Sequence, residues 1–182
     1  QAQAEWLLNL DGGHVEFQPI TLSGDFEIEI LLLSLIDQAH LLSNNIASAI
    51  TRIYFIKSGG RLVIENDNSS NVSLTGLSYS NVTDIIKIKR TGSTIDVSVG
   101  SSSATGSLSG NITLNNAGGV RAAGTSVPDL NGQLSNLKIW QNGDRTTGAL
   151  IIDSALDDNS NIIANAASPV NANVWSGTVT TT

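Results

Sequence analysis

The chain has 182 residues, a net charge of −7 and no cysteine. Its nine basic residues are scattered, so no positive stripe suits the phosphate backbone of a nucleic acid. The lack of cysteine excludes disulfides, thiolate metal sites and a cysteine nucleophile. The longest apolar run is far too short to span a bilayer, and no signal-like segment opens the sequence. We therefore expect no nucleic-acid partner and no membrane insertion.

Hydrophobic residues make up 40% of the chain and charged residues 14%, so most of the polar remainder is Ser, Thr, Asn and Gly. Abundant β-branched residues and few straight-chain helix formers favour strands over helices. The length suits one sandwich core and is tight for two domains. We expect residues 1–182 to form a single all-β domain. Because the chain contains no methionine, we also expect it to be part of a longer polypeptide, or processed from one.

Apolar and polar residues alternate along many short segments, which is typical of half-buried strands. We predict strands at residues 5–10, 14–17, 24–30, 53–57, 61–65, 72–74, 85–90, 94–99, 107–114, 132–141 and 174–179. Turn residues separate them at 11–13, 58–60, 91–93, 116–119 and 142–144. Residues 101–110 fit a hairpin loop or a modest strand. Residues 36–50 carry Leu, Ile and Ala at a spacing that fits a short helix.

Several of these segments resemble a known family. Residues 6–17, which begin Trp6-Leu-Leu-Asn-Leu-Asp-Gly-Gly, and residues 22–30 resemble the first strands of laminin-G-like, concanavalin A-like lectin and glucanase domains. Residues 130–140 resemble the penultimate strand of that fold, which ends in Trp. Residues 150–159, with Trp175 further on, resemble the closing segment of such domains in phage virion and tail-fibre proteins. The resemblance implies an antiparallel jelly-roll sandwich of two sheets, with a concave face or rim loops available to glycan or protein ligands.

Asp25, Glu27 and Glu29 place three carboxylates on one strand face, with neighbours roughly 7 Å apart. Retaining glycosidases use two carboxyls about 5 to 5.5 Å apart, so Glu27 and Glu29 are candidates for catalysis. The related family-16 glucanases carry a Glu-x-Asp-x-Glu strand, which the order Asp-Phe-Glu-Ile-Glu does not match. A solvated polar face is the favoured interpretation, and polar contacts of Glu27 and Glu29 to a ligand are the third.

Aromatic platforms for sugar rings are scarce, since the chain has three Trp, two Tyr and three Phe. The strand patterns predict that Phe26, Phe55 and Trp140 point into the core. The remaining candidates for stacking on a sugar, each of which core packing would also explain, are Trp6, Tyr54, Tyr79 and Trp175.

Oxygen ligands for calcium crowd at residues 65–68, around Asp67, and at residues 157–159, around Asp157 and Asp158. Neither segment has the ligand spacing of an EF-hand, and Asp and Asn also dominate ordinary turns. The two histidines, His14 and His40, are too isolated to form a metal pair, and no nucleophile elbow is present. We expect no cofactor, with calcium as the alternative at these turns.

The leading hypothesis is a non-catalytic display domain on a virion surface or fibre, or otherwise extracellular, that binds a host surface polysaccharide or receptor. Its partners would include capsid or fibre proteins. Two alternatives remain open at this point: a purely structural protein that decorates a capsid or fibre, and a glycoside hydrolase of the family-16 type. Fibre proteins of the resembled group imply a homo-oligomer, with a trimer as the expected state.

Overall fold

A computed structural model describes residues 6–35, 38–44, 51–79, 84–118, 132–154 and 172–181. None of these residues is helical, so no described segment is a long apolar helix able to cross a membrane. Their strands are β1 (Trp6–Leu22), β2 (Phe26–Leu35), β3 (Gln38–Ser43), β4 (Arg52–Ile56), β5 (Arg61–Glu65), β6 (Asn71–Thr75), β7 (Asp84–Thr91), β8 (Thr94–Val99), β9 (Ser102–Ser107), β10 (Ile112–Gly118), β11 (Gly132–Gln141), β12 (Ala149–Ser154) and β13 (Ala172–Thr181).

Antiparallel pairing arranges these strands in two sheets that share β1. The first sheet has the order β6-β5-β4-β3-β10 and ends on the C-terminal part of β1, which pairs with β10 from His14 to Leu22. The second sheet starts at the N-terminal part of β1, which pairs with β11 at Leu8 and Asn9, and continues β11-β2-β7-β8-β9. Strand β12 pairs with β11, and β13 pairs with β1. Sharing one long strand lets the two sheets fold over a common core.

The core lies between the inner faces of the two sheets. Its side chains come from alternate positions of the strands, as the period-two pattern predicts. Buried members from the second sheet are Phe26, Ile28, Ile30, Ile86, Ile88, Ile95, Val97 and Ile139, and from the first sheet Ile53, Phe55, Leu62, Ile64, Leu74 and Leu114. Burying each of the larger side chains contributes about 1.5 to 3 kcal/mol.

The two edge strands, β6 and β9, meet where the sandwich closes. A Cβ atom at Gly106 of β9 would lie 2.7 Å from Cγ2 of Val72 and 2.8 Å from Cδ2 of Leu74. Glycine therefore lets the side chains of β6 approach the backbone of β9 closely, and this contact brings the free ends of the two sheets together.

The strands differ from the predictions in several places. Residues 11–13 are not a turn: β1 runs through them, and a register shift against β13 between Asn9 and His14 accommodates the glycines. Strand β10 likewise continues to Gly118, where a turn was expected. The predicted strand 107–114 does not form as one strand: Ser107 ends β9, residues 112–114 begin β10, and Gly110 in the turn between them has a φ of 94°. Strand β9 itself is the modest strand that was one of the two interpretations of residues 101–110.

The helix predicted within residues 36–50 is wrong where the structure describes that stretch. Residues 38–43 form strand β3, which pairs with β4 on one side and β10 on the other. A local helical spacing of Leu and Ala is a weak preference, and pairing within a sheet overrides it. Residues 36, 37 and 45–50 lie outside the described residues. Strand β12 had no counterpart among the predicted strands.

Arg90 is a buried cation, with 2% of its surface exposed. Its Nε and Nη2 atoms donate to the carbonyl of Gly24 at 2.7 and 2.5 Å, and Nη1 donates to that of Gly110 at 2.6 Å. Nη2 also reaches the carbonyl of Leu22 at 3.1 Å, and the guanidinium lies 4.8 Å from the ring centre of Phe26. Burial lowers the pKa of Arg90. The side chain thus ties the turn after β1 to the turn before β10.

Replacing this arginine tests that role. We expect Arg90→Met to lower the free energy of unfolding by about 2 kcal/mol, because several carbonyls lose a charged donor at once. The control is Arg61→Met, an exposed arginine, which should change stability by less than about 0.5 kcal/mol. Urea titration measures both variants. Equal effects of the two would show that the Arg90 contacts do not stabilise the fold.

His40 is a buried, neutral histidine on the outer face of the first sheet. It is 2% exposed, and its ring stacks on Tyr54 with 5.1 Å between ring centres. Its Nε2 atom has no hydrogen-bond partner in the described part of the chain. Burial, together with the nearby charge of Arg52, lowers the pKa of His40 to about 4.

This shift predicts a dependence of stability on pH. In the unfolded chain the pKa of histidine is about 6.5, so the unfolded state binds the proton first as the pH falls. The free energy of unfolding should therefore decrease between pH 6.5 and pH 4, by up to roughly 3 kcal/mol, and the contribution levels off below that range. Urea titrations of the protein and of His40→Gln across this range isolate the effect. If the variant shows the same slope, another group is responsible.

Candidate functional site

The outer face of the second sheet carries polar side chains in cross-strand register. One row of Cα partners crosses five adjacent strands from β11 to β9 and consists of Trp140, Glu27, Lys89, Asp96 and Thr105. The next row crosses the same strands and consists of Lys138, Glu29, Lys87, Ser98 and Ser103. Neighbouring strands lie about 4.8 Å apart, so side chains within a row can contact one another. Carboxylates, ammonium groups and hydroxyls therefore converge on one face.

A shallow, open groove of about 370 Å³ runs over these rows. We call it the polar groove, and its lining consists of Glu27, Lys87, Lys89, Asp96, Val97, Ser98, Ser103, Ala104 and Thr105. The volume falls within the range of small-ligand sites, roughly 300 to 1,000 Å³. Seven of its nine lining residues carry polar side-chain groups, which can form hydrogen bonds with a ligand.

The loop of residues 142–148, between β11 and β12, folds onto this face next to the groove. Asp144 organises it: Oδ1 accepts from the hydroxyl of Thr146 at 2.6 Å and that of Thr147 at 3.1 Å, while Oδ2 accepts from Nζ of Lys89 at 2.7 Å. These bonds, led by the one from Lys89, hold the pKa of Asp144 below its usual value. A Cβ at Gly143 would lie 2.5 Å from Oγ1 of Thr147, so the tight turn requires glycine there.

The loop places Arg145 over the two glutamates of β2. Nε and Nη2 of Arg145 donate to Oε1 of Glu27 at 2.8 and 2.6 Å, and its backbone amide donates to Oε2 of Glu27 at 3.0 Å. Nη2 also donates to Oε2 of Glu29 at 2.6 Å. The guanidinium lies 5.6 Å from the ring centre of Trp140. The bond with Glu27 is the largest cause of the raised pKa of Arg145.

This arrangement changes how Glu27 and Glu29 are interpreted. The solvated face expected for them is covered at Glu27, which is 6% exposed. Both carboxylates are bound to the same guanidinium, whereas a retaining glycosidase needs one carboxyl as proton donor and the other as nucleophile. Glu27 and Glu29 form a charge-paired structural unit at the edge of the groove, and Glu27 contributes to its lining.

The aromatic residues lie elsewhere than the sequence suggested. Phe26 and Phe55 are buried in the core, as predicted. Trp140 is not: it is half-buried on the outer face beside Glu27, because register shifts in β11 change which positions face inward.

The four candidates for sugar stacking are not brought together with the groove by any described contact. Tyr54 lies on the first sheet beneath Arg52, 5.6 Å from its guanidinium. Tyr79 is buried against Phe55, and burial raises its pKa to about 12. Trp6 and Trp175 belong to β1 and β13, but the structure describes only their backbone and not their side chains.

The Asp67 carboxylate is used for hydrogen bonds within the protein. Its carboxylate accepts hydrogen bonds from the Thr51 hydroxyl, from the Thr113 amide at 2.8 Å and from the Thr113 hydroxyl at 2.7 Å. The described ranges contain no cluster of three acidic or histidine side chains that could hold a metal. Asp67 instead joins the turn after β5 to strand β10. Asp157 and Asp158 lie outside the described residues, and calcium binding there stays a prediction.

Sequence reasoning missed Arg145 and the groove residues on β7, β8 and β9. Alternation in residues 85–90 and 94–99 does show that Lys87, Lys89 and Asp96 share a polar face. It contains no information about which of them lie opposite Glu27, because strand register depends on pairing across the sheet. For Arg145, the turn signal at 142–144 locates a loop without indicating where that loop packs.

Comparisons with known proteins support the fold. No family model matches the chain, and a sequence search of curated proteins gives no match. Among solved structures, the LG1-3 region of the laminin alpha2 chain matches with a TM-score of 0.58 at 16% identity, over 75% of this chain and 27% of that one. Domains LG4-5 of the mouse laminin alpha1 chain match with 0.55 at 12% identity, over 94% of this chain and 46% of that one.

A third solved structure, the native heptameric SAP-like pentraxin from Limulus polyphemus, matches with a TM-score of 0.57 at 16% identity over 98% of this chain and 92% of that chain. This chain thus spans about a quarter and about half of the two laminin fragments and nearly all of the pentraxin. At these identities the similarity shows the fold alone. The protein is an all-β, two-sheet antiparallel jelly-roll sandwich of the concanavalin A-like type, as expected.

The pair of Arg145 and Glu27 gives a testable prediction. Arg145→Met leaves a carboxylate buried without its partner, so we expect a loss of about 1 to 2 kcal/mol in the free energy of unfolding. This is less than for a fully buried pair because the Arg145 side chain is 40% exposed. Adding Glu27→Gln should recover most of the loss. A double-mutant cycle by urea titration measures the coupling. Additive losses would show that the two side chains act independently.

Proposed function

We propose that this domain is a non-catalytic binding module and that its ligand lies in the polar groove. The observation that carries the proposal is the composition of the groove: one open surface of the second sheet combines ammonium groups, carboxylates and hydroxyls on adjacent strands. Such groups bind a ligand by hydrogen bonds without needing to react with it. We treat residues 1–182 as one domain with this single face as its binding surface.

The groove favours a polyhydroxylated ligand, such as a surface glycan. It is open and shallow, which suits a chain that lies along the sheet better than a small molecule that must be enclosed. Ala104 adds a small apolar surface between the polar groups, and the C–H faces of sugar rings can pack on such surface. Trp140 lies at the β11 end of the row that contains Glu27, directly next to that residue.

A non-catalytic role is supported by the state of the carboxylates. Glu27 and Glu29 share one guanidinium, and Asp96 accepts a hydrogen bond from Thr105 at 2.7 Å. These bonds favour a structural role for the carboxylates over proton transfer. Hydrolysis by the Glu27 and Glu29 pair would first require Arg145 to leave its position.

For the setting, we propose display outside a cell, on a virion or fibre that uses the glycan for host attachment. The support for a virion is the resemblance of residues 150–159, with Trp175, to the closing segment of laminin-G-like domains in phage virion and tail-fibre proteins. Assembly as a homo-oligomer is supported by the heptameric state of the pentraxin with the same fold. Capsid or fibre proteins would be the neighbouring components of such a particle.

The binding test uses two tryptophan substitutions on the same strand. Ser103 and Ser107 are both exposed, at alternate positions that place them on the same face of β9, but only Ser103 lines the groove. On an array of bacterial and animal surface glycans, the protein should bind at least one glycan. Ser103→Trp should weaken that binding about tenfold or more by filling the groove, while Ser107→Trp should change it less than about twofold.

Other outcomes would contradict the proposal. If no glycan binds, and the protein co-purifies with virions whose attachment survives its deletion, it serves as a structural decoration. If equal losses occur with both substitutions, the ligand lies elsewhere on the domain. If a bound glycan is cleaved, and Glu27→Gln abolishes the cleavage, the domain is a hydrolase.

A further inference from the structure

We infer that the ligand of the polar groove carries an anionic group, and that Lys87, Ser98 and Ser103 bind this group. The inference rests on the proposed function and deepens it, because it names the chemical class of the ligand and the residues that select it. The ligand class is an acidic polysaccharide, whose anionic group is a carboxylate or a sulfate.

The three residues lie side by side on one face. Lys87 on β7 is the Cα partner of Ser98 on β8, and Ser98 is the partner of Ser103 on β9. All three line the polar groove. Because adjacent strands are about 4.8 Å apart, one ammonium group and two hydroxyls come within reach of a single small group above the sheet.

The other charged groups of the groove are already paired. Glu27 accepts hydrogen bonds from Arg145, and Lys89 donates to Asp144 at 2.7 Å. Asp96 accepts from the Thr105 hydroxyl. The carboxylates that could accept hydrogen bonds from a neutral sugar are thus largely occupied within the protein.

Lys87, Ser98 and Ser103 keep their donors available. In the described part of the chain, none of their side chains makes a hydrogen bond or ion pair. Glu29 is the Cα partner of Lys87, but its carboxylate is bound by Arg145 at 2.6 Å. An ammonium group has three donors and no acceptor, and each hydroxyl has one donor and can also accept. The charged group of this set can therefore only donate and the hydroxyls can donate with it, which matches a ligand group made of acceptors.

The two polar rows and the adjoining loop hold as many carboxylates as basic side chains, so the surface around the groove is electrically balanced although the whole chain is acidic. The net charge is −7, with nine basic residues in total. Four of these nine lie in the two polar rows or the adjoining loop: Lys87, Lys89, Lys138 and Arg145. Two of the four are neutralised by the carboxylates described above. An anionic ligand would consequently bind through close contacts at Lys87, and long-range attraction by the protein would contribute little.

The test compares two lysine substitutions that change the net charge equally. Lys87→Gln removes the ammonium group from the groove. Lys138→Gln is the matched control, because Lys138 lies in the same row on β11, opposite Asp153, and does not line the groove. Binding of the full chain to polygalacturonate, dextran sulfate and neutral dextran is measured by affinity electrophoresis at two salt concentrations. Circular dichroism confirms that each variant is folded.

We expect an acidic polymer to bind and neutral dextran not to bind. Lys87→Gln should weaken binding about tenfold, the effect of losing one charged hydrogen bond, and Lys138→Gln less than about twofold. Lys87→Arg should retain most of the affinity. Binding of polygalacturonate alone identifies the group as a carboxylate, and binding of dextran sulfate alone identifies it as a sulfate.

The contrary results separate this inference from the proposed function. Suppose that a neutral glycan binds, that Ser103→Trp weakens this binding and that Lys87→Gln leaves it unchanged. The ligand is then not an acidic polysaccharide, while the proposed binding function of the groove stands. Equal losses for Lys87→Gln and Lys138→Gln would show a general charge effect and overturn the assignment to Lys87. If neither these polymers nor any arrayed glycan binds, both proposals fail together.

Discussion

The position of β2 in the middle of the second sheet determines much of this molecule. It pairs with β11 on one side and β7 on the other, and its alternation sends Phe26 and Ile28 into the core and Glu27 outward. A shift of one residue in the register of β2 would turn Glu27 and Glu29 towards the core and Phe26 and Ile28 towards the outside. The pairing of β2 on both edges therefore determines both which side chains form the core and which side chains reach the polar groove.

The charges on and near β2 require partners because the fold removes water from them. The 142–148 loop covers Glu27, and Arg145 in that loop supplies the compensating charge. At the end of the sandwich Arg90 is buried too, and its guanidinium donates hydrogen bonds to the backbone carbonyls of Gly24 and Gly110. In both cases a buried ionic group joins segments distant in sequence, so these contacts form only after the sheets have assembled.

Pairing of charges also determines what the groove can bind. Structural ion pairs use up the acidic side chains and leave Lys87 and the serines of β8 and β9 with free donors. The groups that a ligand can contact are thus those that the fold leaves unpaired. The residue types in the sequence do not by themselves show which groups these are. Arg145 in the loop occupies the carboxylates of both Glu27 and Glu29, so neither is freely available to a ligand.

The strands with strict alternation and glycine-containing turns were predictable. Residues 85–90 and 94–99 form a hairpin as expected, since both the period and the turn act within a few residues. The first strand was not predictable in its length, because Gly12 and Gly13 read locally as a turn although β13 pairs along both halves of β1. Residues 38–43 became a strand for the same reason: pairing with β4 and β10 outweighs a weak helical spacing.

The candidate site divides in the same way. Its residue types, and the fact that Glu27, Lys87, Lys89 and Asp96 lie on polar strand faces, are properties of the sequence, since side-chain direction follows from local periodicity. Tertiary structure alone decided that these faces are neighbours, that Trp140 points outward and that Arg145 covers Glu27. Register, bulges and loop packing depend on contacts between residues more than 50 positions apart, such as Glu27 with Arg145 and Lys89 with Asp144. A local pattern of residues in the sequence cannot show that such distant residues come into contact.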